Sequence, residues 1–215
     1  MTRIAIVSEA FYWPRWPEFP RYTEAILREY CLRHDVDCLH YRERYAEGYH
    51  IAFDRAFRLL EAFEQGRYDF CIWMDADAAP LGMGVDLRAY LEHHPHPEKM
   101  QMVRDCNGWN DGVTIYPNNS TSLDILRKIR DRREQYANIR WRAQACLRDI
   151  LRDDHPGYCI EADPDFGLNQ YLPKVTERNP NLYRHGKHFC LHLANWPNAT
   201  RDEVFRGYAE ELHLL

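Results

Sequence analysis

No stretch of the chain approaches the roughly eighteen consecutive apolar residues that a spanning helix requires, so no membrane span is expected. No two cysteines stand at C-x-x-C spacing. The seven (Cys31, Cys38, Cys71, Cys106, Cys146, Cys159 and Cys190) are odd in number and scattered, which suggests neither a disulfide framework nor a zinc site. Several lie inside apolar runs, where a free thiol behaves as a small hydrophobe, and a reducing compartment, the cytoplasm, is expected. An excess of positive charge is also missing. A net charge of -5 over 215 residues argues against nucleic-acid binding through a whole-protein field and leaves only a local basic patch for such a partner. There are no repeats, linkers or low-complexity tracts, so 1–215 reads as one domain. No glycine-rich basic signature follows the first strand, where Ser8-Glu-Ala-Phe-Tyr-Trp-Pro14 stands instead. That counts against a nucleotidyltransferase.

What is present is an ordinary globular composition, 45% apolar and 28% charged, in a chain long enough to bury a full core. Hydrophobic periodicity predicts strands over 3–8, 34–41, 70–74, 100–105, 113–116, 157–162 and 188–193, and helices over 23–33, 50–65, 85–92, 122–132, 136–153 and 201–212. Met1–Ser8 reads as the approach to a first strand and not as a secretory signal. The segment from Glu9 to Tyr22 carries three prolines and reads as a loop, its aromatics either stacking on a base or sugar or covering an edge of the core. The 50–65 helix turns Ala52, Phe53, Ala56, Leu59, Leu60 and Phe63 to one side, and Gly66 stops it. Strands alternating with helices indicate an α/β fold with a mostly parallel central sheet flanked by helices. Cys106–Gly112 reads as a polar turn. His93, His94 and His96 are held extended by interleaved prolines, which argues against a metal site there. The arginines between Arg127 and Arg152 are interleaved with acids, as on a solvated helix face.

The most informative stretch is Phe70-Cys-Ile-Trp-Met-Asp-Ala-Asp77. A short apolar run reads as a strand buried on both faces, and two carboxylates at its end are costly unless water, a partner or a cation neutralises them. Ligands of open α/β sheets bind outside the carboxyl ends of strands, so Asp75 and Asp77 are candidate ligands for a divalent cation. Read alone, Asp-x-Asp is a common tripeptide of solvated turns. A mostly parallel sheet, however, gathers strand ends on one edge, where Asn110-Asp-Gly112, the Gln144 helix and His192 can join it. Two carboxylates and an imidazole suit Mn²⁺, and Mg²⁺ less well.

As an ordered set, Trp73-Met-Asp-Ala-Asp-Ala78, Asn110-Asp-Gly112, Gln144-Ala145, Phe166-Gly-Leu-Asn-Gln-Tyr171 and His192 resemble the GT-A-fold (Rossmann-like) glycosyltransferases, in particular the Golgi galactosyl-, mannosyl- and xylosyltransferases of fungi and plants. The resemblance implies a retaining enzyme that uses Mn²⁺ and a nucleoside-diphosphate sugar. It implies that Asp77 and His192 ligate the metal, with Asp75 on the donor ribose or a metal-bound water. Asn110 and Gly112 lie along the donor sugar, Gln144 near the anomeric carbon or the acceptor, and Arg55 towards the nucleotide; Ser8, at the end of the first strand, joins the donor-binding set. The family's histidine is usually followed by a glycine, whereas His192-Leu-Ala-Asn195 follows here, so His188 is a rival ligand. The acceptor is left open among a glycan, a lipid, a small molecule and a hydroxylated DNA base. A non-catalytic nucleotide-sugar-binding module remains the alternative from another class.

Overall fold

The structure, a computed structural model, describes residues 1–10, 17–173 and 181–215. Its frame is a six-stranded sheet of β1 (Ile4–Glu9), β2 (Asp37–Tyr41), β3 (Phe70–Met74), β5 (Met100–Asp105), β6 (Gly108–Pro117) and β7 (Cys159–Glu161), in the order β2-β1-β3-β6-β5-β7. β1 is parallel to β2 and β3, and β5 to β7; β6 alone runs against its neighbours β3 and β5. The sheet is therefore mostly parallel, as expected. A second, two-stranded sheet joins β4 (Ala78–Ala79) to β8 (Leu191–His192) in antiparallel register.

The central strands are apolar throughout because both faces are covered. Ala5, Val7, Cys71 and Trp73 face one cluster with α2 (Asp54–Glu64), α4 (Ser120–Asp131) and α5 (Arg142–Asp153). Ile4, Ile6, Ile72 and Met74 alternate onto the opposite cluster, as a period of two requires. That cluster contains Leu27 and Tyr30 of α1 (Phe19–His34) and Leu87 and Leu91 of α3 (Leu87–His93). A third cluster packs Phe205 and Ala209 of α6 (Asn198–Glu211) against Phe19, Ala79 and Leu191.

Four elements depart from the sequence reading. α1 begins four residues before Thr23 with Pro20 in its first turn, where the missing N–H would have no intrahelical partner anyway; Phe11–Trp16, the rest of the aromatic segment, lie outside the described residues. The polar turn shrinks to Cys106 and Asn107, because Asn110, Asp111 and Gly112 belong to β6 and find partners within the site described below. α5 starts only at Arg142, since the left-handed backbone of its N-cap Trp141 (φ 64°), carried on at its first residue Arg142 (φ 39°), breaks the helical run expected from Tyr136. The last strand is reduced to two residues and pairs with β4, not with the central sheet. The seven cysteines are free thiols, and among the described residues His93, His94 and His96 join no metal-type cluster.

The end of β1 carries a buried acid, Glu9. Burial and the neighbouring Asp54 carboxylate push the Glu9 carboxyl up to about 8, against the pull of Arg58. A carboxyl raised on folding contributes stability that is complete below its unfolded value near 4.5 and lost as the pH rises through about 8. Glu9→Gln, which stays neutral, is expected to raise the thermal midpoint relative to wild type more at pH 9 than at pH 5; an equal effect at both pH values contradicts the assignment.

Candidate functional site

β3 ends at Met74, and the chain turns at once: the Asp75 amide donates to the Gly112 carbonyl at 2.8 Å, and the Ala78 amide to the Asp75 carbonyl at 3.0 Å. Both aspartates are thus presented at the edge where β3 meets β6. β8 then lies beside β4 with His192 opposite Ala78, and the Leu193 amide donates to the Asp77 carbonyl at 2.8 Å. The result brings ligand atoms of Asp75, Asp77 and His192 within 4.8 Å of one another. His188 is elsewhere. Its Nδ1 accepts from the Arg184 amide at 3.1 Å and its ring packs over Gly167, so of the two rival histidines only His192 joins the aspartates.

Which nitrogen His192 offers follows from a chain of hydrogen bonds. The Gly112 amide, a donor only, points to Asn110 Oδ1 at 2.9 Å, while Asn110 Nδ2 donates to Asp105 Oδ2 at 2.8 Å. With Asn110 so fixed, Asn169 must turn its Nδ2 towards Asn110 Oδ1 (3.0 Å) and its Oδ1 towards His192 Nδ1 (2.9 Å). An amide oxygen accepts, so Nδ1 carries the proton and Nε2 is left as the lone-pair nitrogen. Nε2 faces Asp77 Oδ1 at 3.2 Å. Two acceptors in that position need a proton or a cation between them. Burial works against a charged His192, but Asp77 and Asp75 outweigh it and raise the imidazole above its ordinary range. The donor set therefore fits a divalent cation, which would take the place the proton holds.

The carboxylates are unequal. Burial alone would raise Asp77, yet His192 and Arg201, whose Nη2 lies 2.6 Å from Asp77 Oδ2, hold it down to about 2. Asp75 is raised by burial and by the nearby Asp77 charge, with Arg55 opposing. Its Oδ1 accepts from Trp73 Nε1 at 2.7 Å and meets Arg55 Nη2 at 3.4 Å, contacts that leave Oδ2 out. Arg55 is itself locked: Nη1 pairs with Asp111 Oδ2 at 2.5 Å, and the guanidinium lies 5.4 Å from the Trp73 ring.

The remaining expected residues take varied places. Asn110 is buried with both amide atoms engaged inside the protein. Gly112 is a steric necessity, for a Cβ there would sit 2.2 Å from Cε1 of His192. Ser8 is buried at the end of β1, opposite Met74. Gln144 stands half-buried in the first turn of α5, and no contact joins it to the aspartates or His192 among the described residues. Sequence reasoning gave no role to Asp105, Asp111, Asn169 or Arg201. Asp111 and Asn169 stand inside the motifs that were singled out, but Arg201, in a C-terminal helix, carried no signal.

No family model matches the chain, and no curated protein sequence matches it. Among solved structures, it is similar to a glycosyltransferase involved in glycosylating the major capsid of PBCV-1, with a TM-score of 0.74 at 17% identity, covering 95% of this chain and 99% of that one. It is also similar to the glycosyltransferase GlyE of Streptococcus pneumoniae, with a TM-score of 0.52 at 17% identity, over 77% of this chain and 46% of that one. The fold is that of the GT-A-like glycosyltransferases. No helix among the described residues is long and apolar enough to cross a membrane.

If the amide relay sets His192, residues that touch no cation will control its binding. With Mn²⁺ as probe, Gly112→Ala, which displaces the ring, and Asn169→Leu, which orphans Nδ1, are each expected to weaken binding by about 10- to 100-fold. Electron paramagnetic resonance of free Mn²⁺ measures this, and wild-type affinity in both variants contradicts the relay.

Proposed function

We propose that the protein is a metal-dependent glycosyltransferase that moves a sugar from a nucleoside-diphosphate sugar to an acceptor hydroxyl. The observation that carries this reading is the convergence of Asp75, Asp77 and the Nε2 face of His192 at a strand end of a glycosyltransferase fold. Asp77 and His192 would hold the cation, Mn²⁺ before Mg²⁺ because one ligand is an imidazole, with Asp75 completing the set or reaching the donor ribose. A cation there supplies Lewis-acid stabilisation to a departing diphosphate.

The chain's own residues supply the rest. Arg201 balances the charge of Asp77, so the cluster carries less net negative charge towards an incoming diphosphate. Arg55 and Trp73 hold Asp75 in one orientation. Asn110 acts through Asn169 as a positioning residue, and Gly112 admits the His192 ring. His192 is buried and both aspartates are half-buried, which leaves the carboxylates open to an incoming ligand on one side. Transfer with retention of configuration, and a place for Gln144 near the anomeric carbon, follow from the family resemblance and belong to the same proposal.

The test is a donor screen: protein, Mn²⁺ and a panel of nucleotide sugars, with nucleotide release as the readout. At least one donor is expected to be turned over. Asp77→Ala is expected to lose donor hydrolysis and sugar transfer together, by about a thousandfold or more, because several kcal/mol of leaving-group stabilisation disappear. Retained Mn²⁺-dependent turnover in Asp77→Ala sinks the assignment, and no release from any donor favours a binding module.

A further inference from the structure

A groove along the N-terminal end of α5 is lined by none of the three residues of the aspartate–histidine cluster. Two adjoining cavities share Ile139, Arg140 and Trp141 in their walls. One part, about 800 Å³, is lined by Asn107, Arg142 and Asn195 besides the shared residues. Asn195 follows His192 by three positions in the chain, while Asp75, Asp77 and His192 themselves line neither part. The other part, about 620 Å³, adds Arg104, Trp109 and Arg148.

The lining has a specific chemistry. Arg104 stacks on Trp109 with its guanidinium carbon 4.2 Å from the ring, and Arg140 and Arg148 lie 4.4 and 5.6 Å from the Trp141 ring. Arg152, farther out, is neutralised by Asp149 and Asp153. By contrast, Arg104, Arg140 and Arg148 form no ion pair with any carboxylate among the described residues. A guanidinium stacked on an indole is held by its face and keeps its N–H edges for a planar oxyanion. The backbone supports the display: Trp141 and Arg142 both hold positive φ, a costly conformation for side-chain-bearing residues that recurs at ligand sites. It leaves Trp141 39% exposed.

From this we infer that the groove binds the acceptor, and that the acceptor is an anionic saccharide, a short sugar chain bearing carboxylate or phosphate groups. The inference rests on the glycosyltransferase reading for the acceptor role, while the ligand chemistry rests on the groove alone. Tryptophan rings offer apolar faces to sugar rings, and the unpaired arginines select the anion. A long nucleic-acid strand is disfavoured because the chain's net charge of -5 repels a polyanion beyond the groove.

The experiment titrates three trisaccharides of equal length, neutral maltotriose, trigalacturonate and maltotriose carrying a terminal phosphate, together with a single-stranded thymidine hexanucleotide, and follows binding by calorimetry. At least one anionic trisaccharide is expected to bind about tenfold or more tightly than maltotriose, a difference of about 1.4 kcal/mol. Arg140→Gln/Arg148→Gln is expected to abolish that preference. The inference is overturned if the anionic sugars bind no tighter than the neutral one, if the double variant keeps the preference, or if the hexanucleotide binds tighter than all three. Donor hydrolysis without acceptor, measured in parallel, separates the two readings. Loss of the saccharide preference with hydrolysis unchanged in the double variant supports the groove as the acceptor site. Anionic-saccharide binding by a wild type that hydrolyses no donor sinks the transferase reading but upholds the groove's ligand chemistry.

Discussion

An N–H can only donate a hydrogen bond and a carboxylate can only accept one. Placed at the two ends of an amide pair, these asymmetries leave the site little freedom. The Gly112 amide and the Asp105 carboxylate fix the orientation of Asn110, Asn110 fixes Asn169, and Asn169 fixes the tautomer of His192. Each link is buried or half-buried, where reversing one amide would oppose like partners and cost the desolvation of both, about 1–3 kcal/mol per unsatisfied group. The fold makes the chain of contacts possible by laying segment 166–170 alongside 189–192, with Phe189, Cys190 and His192 amides donating to Phe166, Gly167 and Gln170 carbonyls.

The second constraint is charge. Asp75, Asp77 and Asp111 are gathered in a small volume against Arg55, Arg201 and His192. Removing one member of so buried a pair typically costs about 3–5 kcal/mol because the other is left uncompensated. Arg55–Asp111 and Arg201–Asp77 therefore hold the acidic edge together before any cation or diphosphate arrives. The four central strands that carry this edge are packed on both faces by helices, giving the carboxylates a stiff platform.

Much of this was legible in the sequence, for stated reasons. β3 and β5 were bounded to the residue because a short apolar run ending in charge has one reading, and the 50–65 helix carried a strong apolar stripe. The aspartate pair stood out because carboxylates abruptly end a buried strand, and His192 because a histidine closes an apolar run. What escaped were features set by long-range contacts. Asn110, Asp111 and Gly112 read as a turn because polar residues and glycine resemble one, yet β6 accommodates them through partners on β5, α2 and β8. The late start of α5 depends on two left-handed residues that the apolar period does not reveal. Arg201 meets Asp77 across 124 positions, a distance no local pattern spans, and the pairing of β8 with β4, which sets His192 and not His188 beside the aspartates, is equally long-range.

The tautomer of His192 is the most direct test of the account. Long-range nitrogen–proton correlation spectra of histidine-labelled protein, recorded without paramagnetic ion and above the histidine's titration, distinguish the two neutral forms. The relay predicts a His192 ring protonated on Nδ1 with a bare Nε2 directed at the aspartates, and loss of that pattern in Asn169→Leu. A ring protonated on Nε2 would contradict it.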